Sequence, residues 1–253
     1  MSVACVPLGL GLMCKPPRPG SSKTRLAASI GDAAAAALSR AFLQDCASVC
    51  TAAAGQDGLV TVAFYRPADA GAEIEALLSP GWSTEYCHRG DFGASMLAAL
   101  ASLLAKAPGG AMIMAADIPL IGPAEIRAAA DALRSGDPRS VVVIPSDDGG
   151  YGLIGVRSAE VAAPLFAPMA WSTPSVLGET LSRALQARLQ VTVLPSQRDI
   201  DDQDDLAWLQ AALQERADGA SATRAALALL GDRADAQGRA TDPLARLARL
   251  QRR

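Results

Sequence analysis

Short apolar runs alternate with helix-like segments along most of this chain, and polar residues gather where the apolar runs stop. Leu8–Met13, Leu59–Tyr65, Ala111–Ala115 and Gln190–Leu194 read as strands, with a weaker strand signal over Gly81–Cys87. Val141–Pro145 is three valines followed by Ile and Pro, and is expected as a central parallel strand. Leu153–Val156 is expected only to pair locally. Helical spacing marks Gly31–Ala53, Asp69–Leu78, Gly93–Lys106, Pro123–Ser135, Ser175–Ala187 and Asp204–Gln214. Pro123 sits in the first turn of its segment, where helix starts favour proline. Strands separated by helices imply a mostly parallel sheet covered on both faces, a three-layer α/β/α arrangement. A length of 253 residues suits one such domain over 1–214, with a helical C-terminal tail over 215–253. That tail ends in an amphipathic stretch, Leu244–Leu250, expected to be mobile or to mediate self-association into a homo-oligomer.

In sheets of this kind, ligands lie outside the carboxyl ends of the strands. The segments after Met13, Ala116, Pro145 and Leu194 fall at such ends. After the first strand comes Lys15-Pro-Pro-Arg18-Pro-Gly20-Ser-Ser-Lys23-Thr-Arg25-Leu26, a Pro/Gly loop entering a helix with four cations around it. Cations oppose the dipole at a helix start, so their presence there makes sense if a polyanion lies among them. The arginines suit bidentate phosphate contacts and the lysines act as point charges. The alternative is a solvated basic turn. The spacing is not that of a Walker loop.

Asp117 ends the buried run Ala111–Ala116 and is either a helix cap or a ligand for Mg²⁺ or Mn²⁺ between diphosphate oxygens. Asp147-Asp148-Gly149-Gly150-Tyr151 is either a tight turn or a close backbone approach to a ligand. Asp199 to Asp205 holds five acids in seven residues. Some of these should cap the following helix, and Asp201 is placed to complete a metal site with Asp117. Gly90-Asp91-Phe92-Gly93 either bounds a base or ribose pocket or forms a loop and cap. Trp171 either floors an acceptor site, as flat aromatics do for sugars, or belongs to the core. His88 is expected as a surface or hydrogen-bonded residue, and no Ser-His-Asp set is present.

Bulk composition narrows the partners. The net charge of −3 argues against a nucleic-acid surface, which needs a basic excess. Five cysteines at 5, 14, 46, 50 and 87 show no framework spacing, and so read as reduced thiols in a cytoplasmic protein; a Cys46–Cys50 metal pair is disfavoured by the single histidine. The apolar stretch Val3–Cys14 lacks a preceding basic residue and is broken by Pro7, Gly9 and Gly11, so it reads as the first buried strand and not as a membrane span.

In order, K-P-x-R-P-G-x-x-K-T-R-L, G-D-F-G, A-D-I-P, D-G-G-Y-x-L-I-G, W-S-T and D-I-D-x-x-D-D-L resemble bacterial GT-A-type glycosyltransferases of the arsenosugar-biosynthesis type, in the nucleotide-diphospho-sugar transferase superfamily. The resemblance spans about residues 8–210. It implies a GT-A nucleotide-binding domain, a divalent cation (Mg²⁺ or Mn²⁺), a nucleotide sugar as donor and a small-molecule acceptor. Carried over, Lys15, Arg18, Gly20, Lys23 and Arg25 face the donor phosphates, with Gly90 and Asp91 on the nucleotide. Asp117 and Asp201 are the metal-side carboxylates, Asp148 and Lys23 serve catalysis, and Gly149, Gly150, Tyr151 and Trp171 meet the acceptor. The sequence departs from the family at Ala94-Ser95, where a Glu-Arg pair is usual, and at Gly152, where a bulkier residue is common. The alternative activity is nucleotidyl transfer, in which a nucleoside triphosphate joins a phosphorylated small molecule and pyrophosphate leaves. A non-catalytic nucleotide-binding protein is the third reading.

Overall fold

The computed structural model describes residues 6–87 and 90–236. Cys5, His88 and the stretch Leu244–Leu250 lie outside the described residues. A sheet of seven strands runs through the middle, in the order β3-β2-β1-β4-β6-β5-β7. The strands are β1 (Gly9–Cys14), β2 (Val60–Tyr65), β3 (Ser83–Tyr86), β4 (Ala111–Ala115), β5 (Ser140–Pro145), β6 (Tyr151–Val156) and β7 (Gln190–Val193). Pairings are parallel except those of β6, which is antiparallel to both neighbours.

The strand expected to pair only locally is therefore central, and the valine-rich strand lies one place further out. The reason is the short Asp147–Gly150 turn, which folds β6 back against β5 as a hairpin and so puts it between β5 and β4. Its glycines suit a crowded position. A Cβ at Gly155 would come within 2.8 Å of the Met112 and Val142 side chains on either side.

Helices cover both faces. On one face α2 (Asp32–Asp57), α3 (Gly71–Glu75) and α5 (Pro123–Ser135) enclose Leu10, Leu12, Cys46, Ile74, Ile126 and Met112. On the other, α4 (Phe92–Lys106), α6 (Ala159–Leu165) and α7 (Val176–Gln186) enclose Phe64, Met96, Leu103, Val143, Leu165 and Ala184. The helix expected from Gly31 is α2, and the helix entered from the β1 loop is a separate, short one. α1 (Thr24–Ile30) stops at Gly31, whose φ of 87° ends the helix before α2 begins. α3 is shorter than its expected span, Asp69–Leu78, and α6 was not legible because Pro164 interrupts its pattern. Cys14, Cys46, Cys50 and Cys87 are buried thiols, and burial pushes the Cys46 thiol well above its ordinary pKa. Among the described residues no helix is long and apolar enough to cross a membrane.

α8 (Gln203–Glu215) and α9 (Ser221–Ala236) add a further group outside α1 and α2, joined through Leu26, Phe42, Leu209, Leu213 and Leu227. The segment past Glu215 thus starts with a packed helix. Its first turn is anchored by Asp45 of α2, a buried carboxylate accepting from the N–H groups of Ala222 at 2.9 Å and Thr223 at 2.8 Å. Asp45→Ala leaves both donors without that partner. It is expected to cost about 1–3 kcal/mol and to raise hydrogen exchange in α9 ahead of the sheet; uniform exchange across the molecule would contradict this anchoring role.

Candidate active site

The loop after β1 folds back on itself through hydrogen bonds of its buried serine, Ser22. Ser22 donates to the Pro16 carbonyl at 3.1 Å, and its N–H to that of Arg18 at 3.2 Å. Lys23 then takes a left-handed backbone, φ 47° and ψ 55°, just before α1. Such a conformation costs a side-chain-bearing residue about 1–2 kcal/mol and persists where surrounding contacts enforce it. Here the contacts are two carboxylates. Lys23 Nζ lies 2.6 Å from Asp117 Oδ2 and 2.6 Å from Asp201 Oδ1, and only 12% of its side chain is exposed. Burial acts to lower the Lys23 pKa, but the two carboxylates outweigh it and hold the ammonium above its ordinary value. Arg25 also pairs with Asp201.

Arg18 does not line the cleft in which these groups sit. It turns outward onto Asp69, at 2.9 Å, and Glu73. Gly20 lies in the exposed turn of the loop with φ 78°. Lys23, Arg25 and Arg18 are therefore each answered by carboxylates from within the protein, which resolves the clash with the helix dipole without any polyanion.

Lys15 is different. It shares the cleft with Arg66, which follows β2, and neither forms an ion pair among the described residues. Burial, followed by the nearby charges of Arg66 and Lys23, lowers the Lys15 pKa. The charges of Asp117 and Asp201 oppose that shift without reversing it, and two like charges converging in this way favour an anion between them. Arg66 was missed in the sequence, although it stands at a strand's carboxyl end as the other candidates do.

The acidic run is sorted by its partners. Asp202 caps α8 by accepting from Asp204 and Asp205 N–H, and Asp205 accepts in return from the N–H groups of Asp201 and Asp202. This fixes Asp201 toward Lys23. Asp199 accepts from Ser146 Oγ at 2.6 Å. Burial pushes its carboxyl up to about 6; the Ser146 hydroxyl opposes the shift, and the charges of Asp148, Asp117 and Asp201 add to it. Asp148 and Gly150 line the cleft, the Gly150 N–H donating to Asp148 Oδ1 at 2.9 Å. Gly149 does not line it, but no other residue fits its place. Its φ is 90°, and a Cβ would lie 2.3 Å from the Pro174 carbonyl.

Trp171 rests on Gly93 and meets the Phe92 ring edge-on at 5.1 Å, and it stacks with Phe166. Tyr151 and Trp171 both line the cleft, whose volume is about 560 Å³. Asp91 caps α4 by accepting from Ala94 N–H at 2.7 Å, and neither Asp91 nor Gly90 lines the cleft.

Oxygen donors alone fit Mg²⁺ or Mn²⁺. Asp117 and Asp201 already grip one cationic group, the Lys23 ammonium. Among the described residues no group of three or more His, Cys, Asp or Glu side chains forms a metal cage. Most of a divalent ion's shell would thus come from water and ligand phosphate, as Mg²⁺ prefers.

Residues 47–173 match the family described as "Uncharacterized protein conserved in bacteria (DUF2064)". No curated protein matches the sequence. Among solved structures, the chain is similar to a protein from Desulfovibrio desulfuricans G20 assigned provisionally as a nucleotide-diphospho-sugar transferase. The identity is 26% and the TM-score 0.78, over 90% of this chain and 95% of that one. A nucleotidyl transferase from Methanothermobacter (15% identity, TM-score 0.55, 83% and 99% covered) shares the fold. So does 4-diphosphocytidyl-2C-methyl-D-erythritol synthase from Anaerococcus prevotii DSM 20548 (13%, TM-score 0.52, 82% and 98%). The architecture is thus that of the nucleotide-diphospho-sugar transferase fold.

Asp199 makes a pH prediction. Its folded pKa of about 6 exceeds the ordinary 3.8, so the folded chain holds this proton after the unfolded chain has released it. Its contribution to stability therefore falls as pH rises from about 4 to about 6. Asp199→Asn should flatten that part of a denaturation-versus-pH curve; an unchanged slope would show that Asp199 titrates normally.

Proposed function

The chain belongs to the bacterial family DUF2064, which matches half of its sequence, and from that premise we propose that it is a transferase drawing on a nucleotide-linked donor. The observation that carries this reading is the convergence of Lys15 and Arg66, neither in an ion pair among the described residues, beside the Asp117–Lys23–Asp201 bridge. The donor diphosphate lies against Lys15 and Arg66. Asp117 and Asp201 would hold Mg²⁺ or Mn²⁺, which when bound neutralises charge on the departing diphosphate. Lys23 gives up its carboxylates as the donor enters and turns its ammonium to the phosphates, so that the protein's charges are rearranged and none is left stranded.

The activity proposed is glycosyl transfer from a nucleoside-diphosphate sugar to a small acceptor, of the arsenosugar-biosynthesis type that the ordered motifs resemble. Asp148 accepts the proton of an acceptor hydroxyl, whose oxygen bonds to the sugar carbon as the bond to the diphosphate breaks. Nucleotidyl transfer drew its support from the wealth of cations in the β1 loop. Two of those four, Arg18 and Arg25, stay paired with carboxylates, which weakens the case for a triphosphate. Both activities use the same fold, and the similar solved structures include a nucleotidyl transferase.

Calorimetric titration of nucleoside diphosphates and triphosphates with Mg²⁺ or Mn²⁺ tests the reading. Lys15→Ala and Arg66→Ala should each weaken diphosphate binding about 10- to 100-fold, the loss of one charge-assisted contact. Arg18→Ala should weaken it less, because that side chain is already paired with Asp69 and Glu73. Asp117→Ala should remove the metal-dependent part of the affinity. Pyrophosphate release from a triphosphate would favour nucleotidyl transfer, and indifference to every nucleotide would reject both activities.

A further inference from the structure

Three side chains that do not line the cleft meet behind the acidic run. Asp205 and Trp208 are three residues apart on α8 and so share a face of that helix. Arg198 lies across both. Its Nε donates to Asp205 Oδ1 at 2.9 Å, a terminal nitrogen lies 2.8 Å from the same oxygen, and the guanidinium stands 5.1 Å from the centre of the Trp208 ring. The other Asp205 oxygen, Oδ2, accepts from the N–H of Asp201 at 3.0 Å and from that of Asp202 at 3.3 Å. Burial acts to raise the Asp205 pKa, but the Asp201 N–H, the Arg198 guanidinium and the Asp202 N–H outweigh it and hold the carboxyl below its ordinary range.

Helix capping accounts for only part of this. The exchange between Asp202 and Asp205 closes the first turn of α8. Arg198 has no role in that exchange, and the shorter of the two Oδ2 contacts goes to Asp201, which lies outside the cap. Asp201 is also the residue that meets Lys23. Its neighbour Ile200 is fully buried and donates its N–H to the Asp117 carbonyl at 3.1 Å. Two consecutive N–H groups are thus held, one by the loop that carries Asp117 and the next by Asp205. Arg198 engages one oxygen of Asp205 and leaves the second to the Asp201 N–H, while the Trp208 ring restricts where the guanidinium can lie. Without that cation, Asp205 is a part-buried carboxylate among Asp199, Asp201, Asp202 and Asp204, and repulsion favours its turning out to water.

We propose that Arg198 is a positioning residue: from outside the cleft, and through Asp205, it directs the Asp201 carboxylate to the place where it meets Lys23 beside Asp117. The inference deepens the transferase reading, in which Asp117 and Asp201 together hold a metal ion, since two carboxylates serve one ion only when both are aimed at it.

The test uses the whole chain without nucleotide or metal. Nuclear magnetic resonance detects scalar coupling across a hydrogen bond, here from Lys23 Nζ to the carboxylate carbons of Asp117 and Asp201. Both couplings are expected in the natural chain. Arg198→Met keeps an apolar stem against Trp208 and should lose most of the Asp201 coupling while keeping that to Asp117. Arg198→Lys retains a cation for Asp205 and should keep both. Arg198→Gln, uncharged but polar, is a second variant with the same expected loss should the methionine chain fail to fold. An unchanged Asp201 coupling in the uncharged variants, with or without a lower melting temperature, would overturn the inference. Loss of both couplings together would overturn it too, because that is general loosening with no aim on Asp201. None of these outcomes depends on a ligand. A chain that binds no nucleotide fails the transferase reading in the calorimeter, whereas a wrong coupling pattern fails the role of Arg198 alone.

Discussion

One ammonium group ties together three loops that are distant in sequence. Lys23, on the loop after β1, lies between Asp117 at the end of β4 and Asp201 beyond β7, 2.6 Å from each. Removing any one of the three charges leaves an imbalance in a largely buried place, where unpaired charge is costly. The bridge also holds the left-handed backbone at Lys23 and brings Arg25 onto Asp201. It keeps the two carboxylates converged and neutralised. In the proposed function the same carboxylates accept a divalent ion once a diphosphate draws Lys23 away, so a single contact serves both the empty fold and the loaded site.

Much of the fold was legible because it depends on periodicity and strand-end chemistry. The runs at Leu8–Met13, Ala111–Ala115 and Gln190–Leu194 lie on β1, β4 and β7, and the acids and cations fall at carboxyl ends. What was hidden depends on pairing partners. Val141–Ile144 and Leu153–Val156 are both buried apolar runs, and composition alone cannot say that the hairpin places the second at the centre. The helix expected from Gly31 is α2, which extends past its expected end at Ala53 to Asp57.

The candidate site was legible in its residue types and less so in their directions. A sequence shows Arg18, Lys23 and Arg25 as a basic cluster. Only the fold places Asp69, Glu73, Asp117 and Asp201 opposite them. Arg66 was obscure for the reverse reason, being a lone arginine before a proline whose significance lies in its approach to Lys15. Among the acids, Asp202 and Asp205 face the start of α8, and Asp199 is held by Ser146. Four of the five acids therefore divide among capping, hydrogen bonding and ion pairing, where a sequence presents them as equivalent.

The central claim is that Lys23 occupies the place a divalent cation takes. The most direct measurement is calorimetric titration of Mg²⁺ and Mn²⁺ into nucleotide-free protein, comparing the natural chain with Lys23→Met. With the ammonium gone, Asp117 loses its ion-pair partner and Asp201 keeps only Arg25. Cation affinity should then rise at least about tenfold, equivalent to about 1.4 kcal/mol. Equal or weaker cation binding by Lys23→Met, in a chain that still folds, would contradict the account.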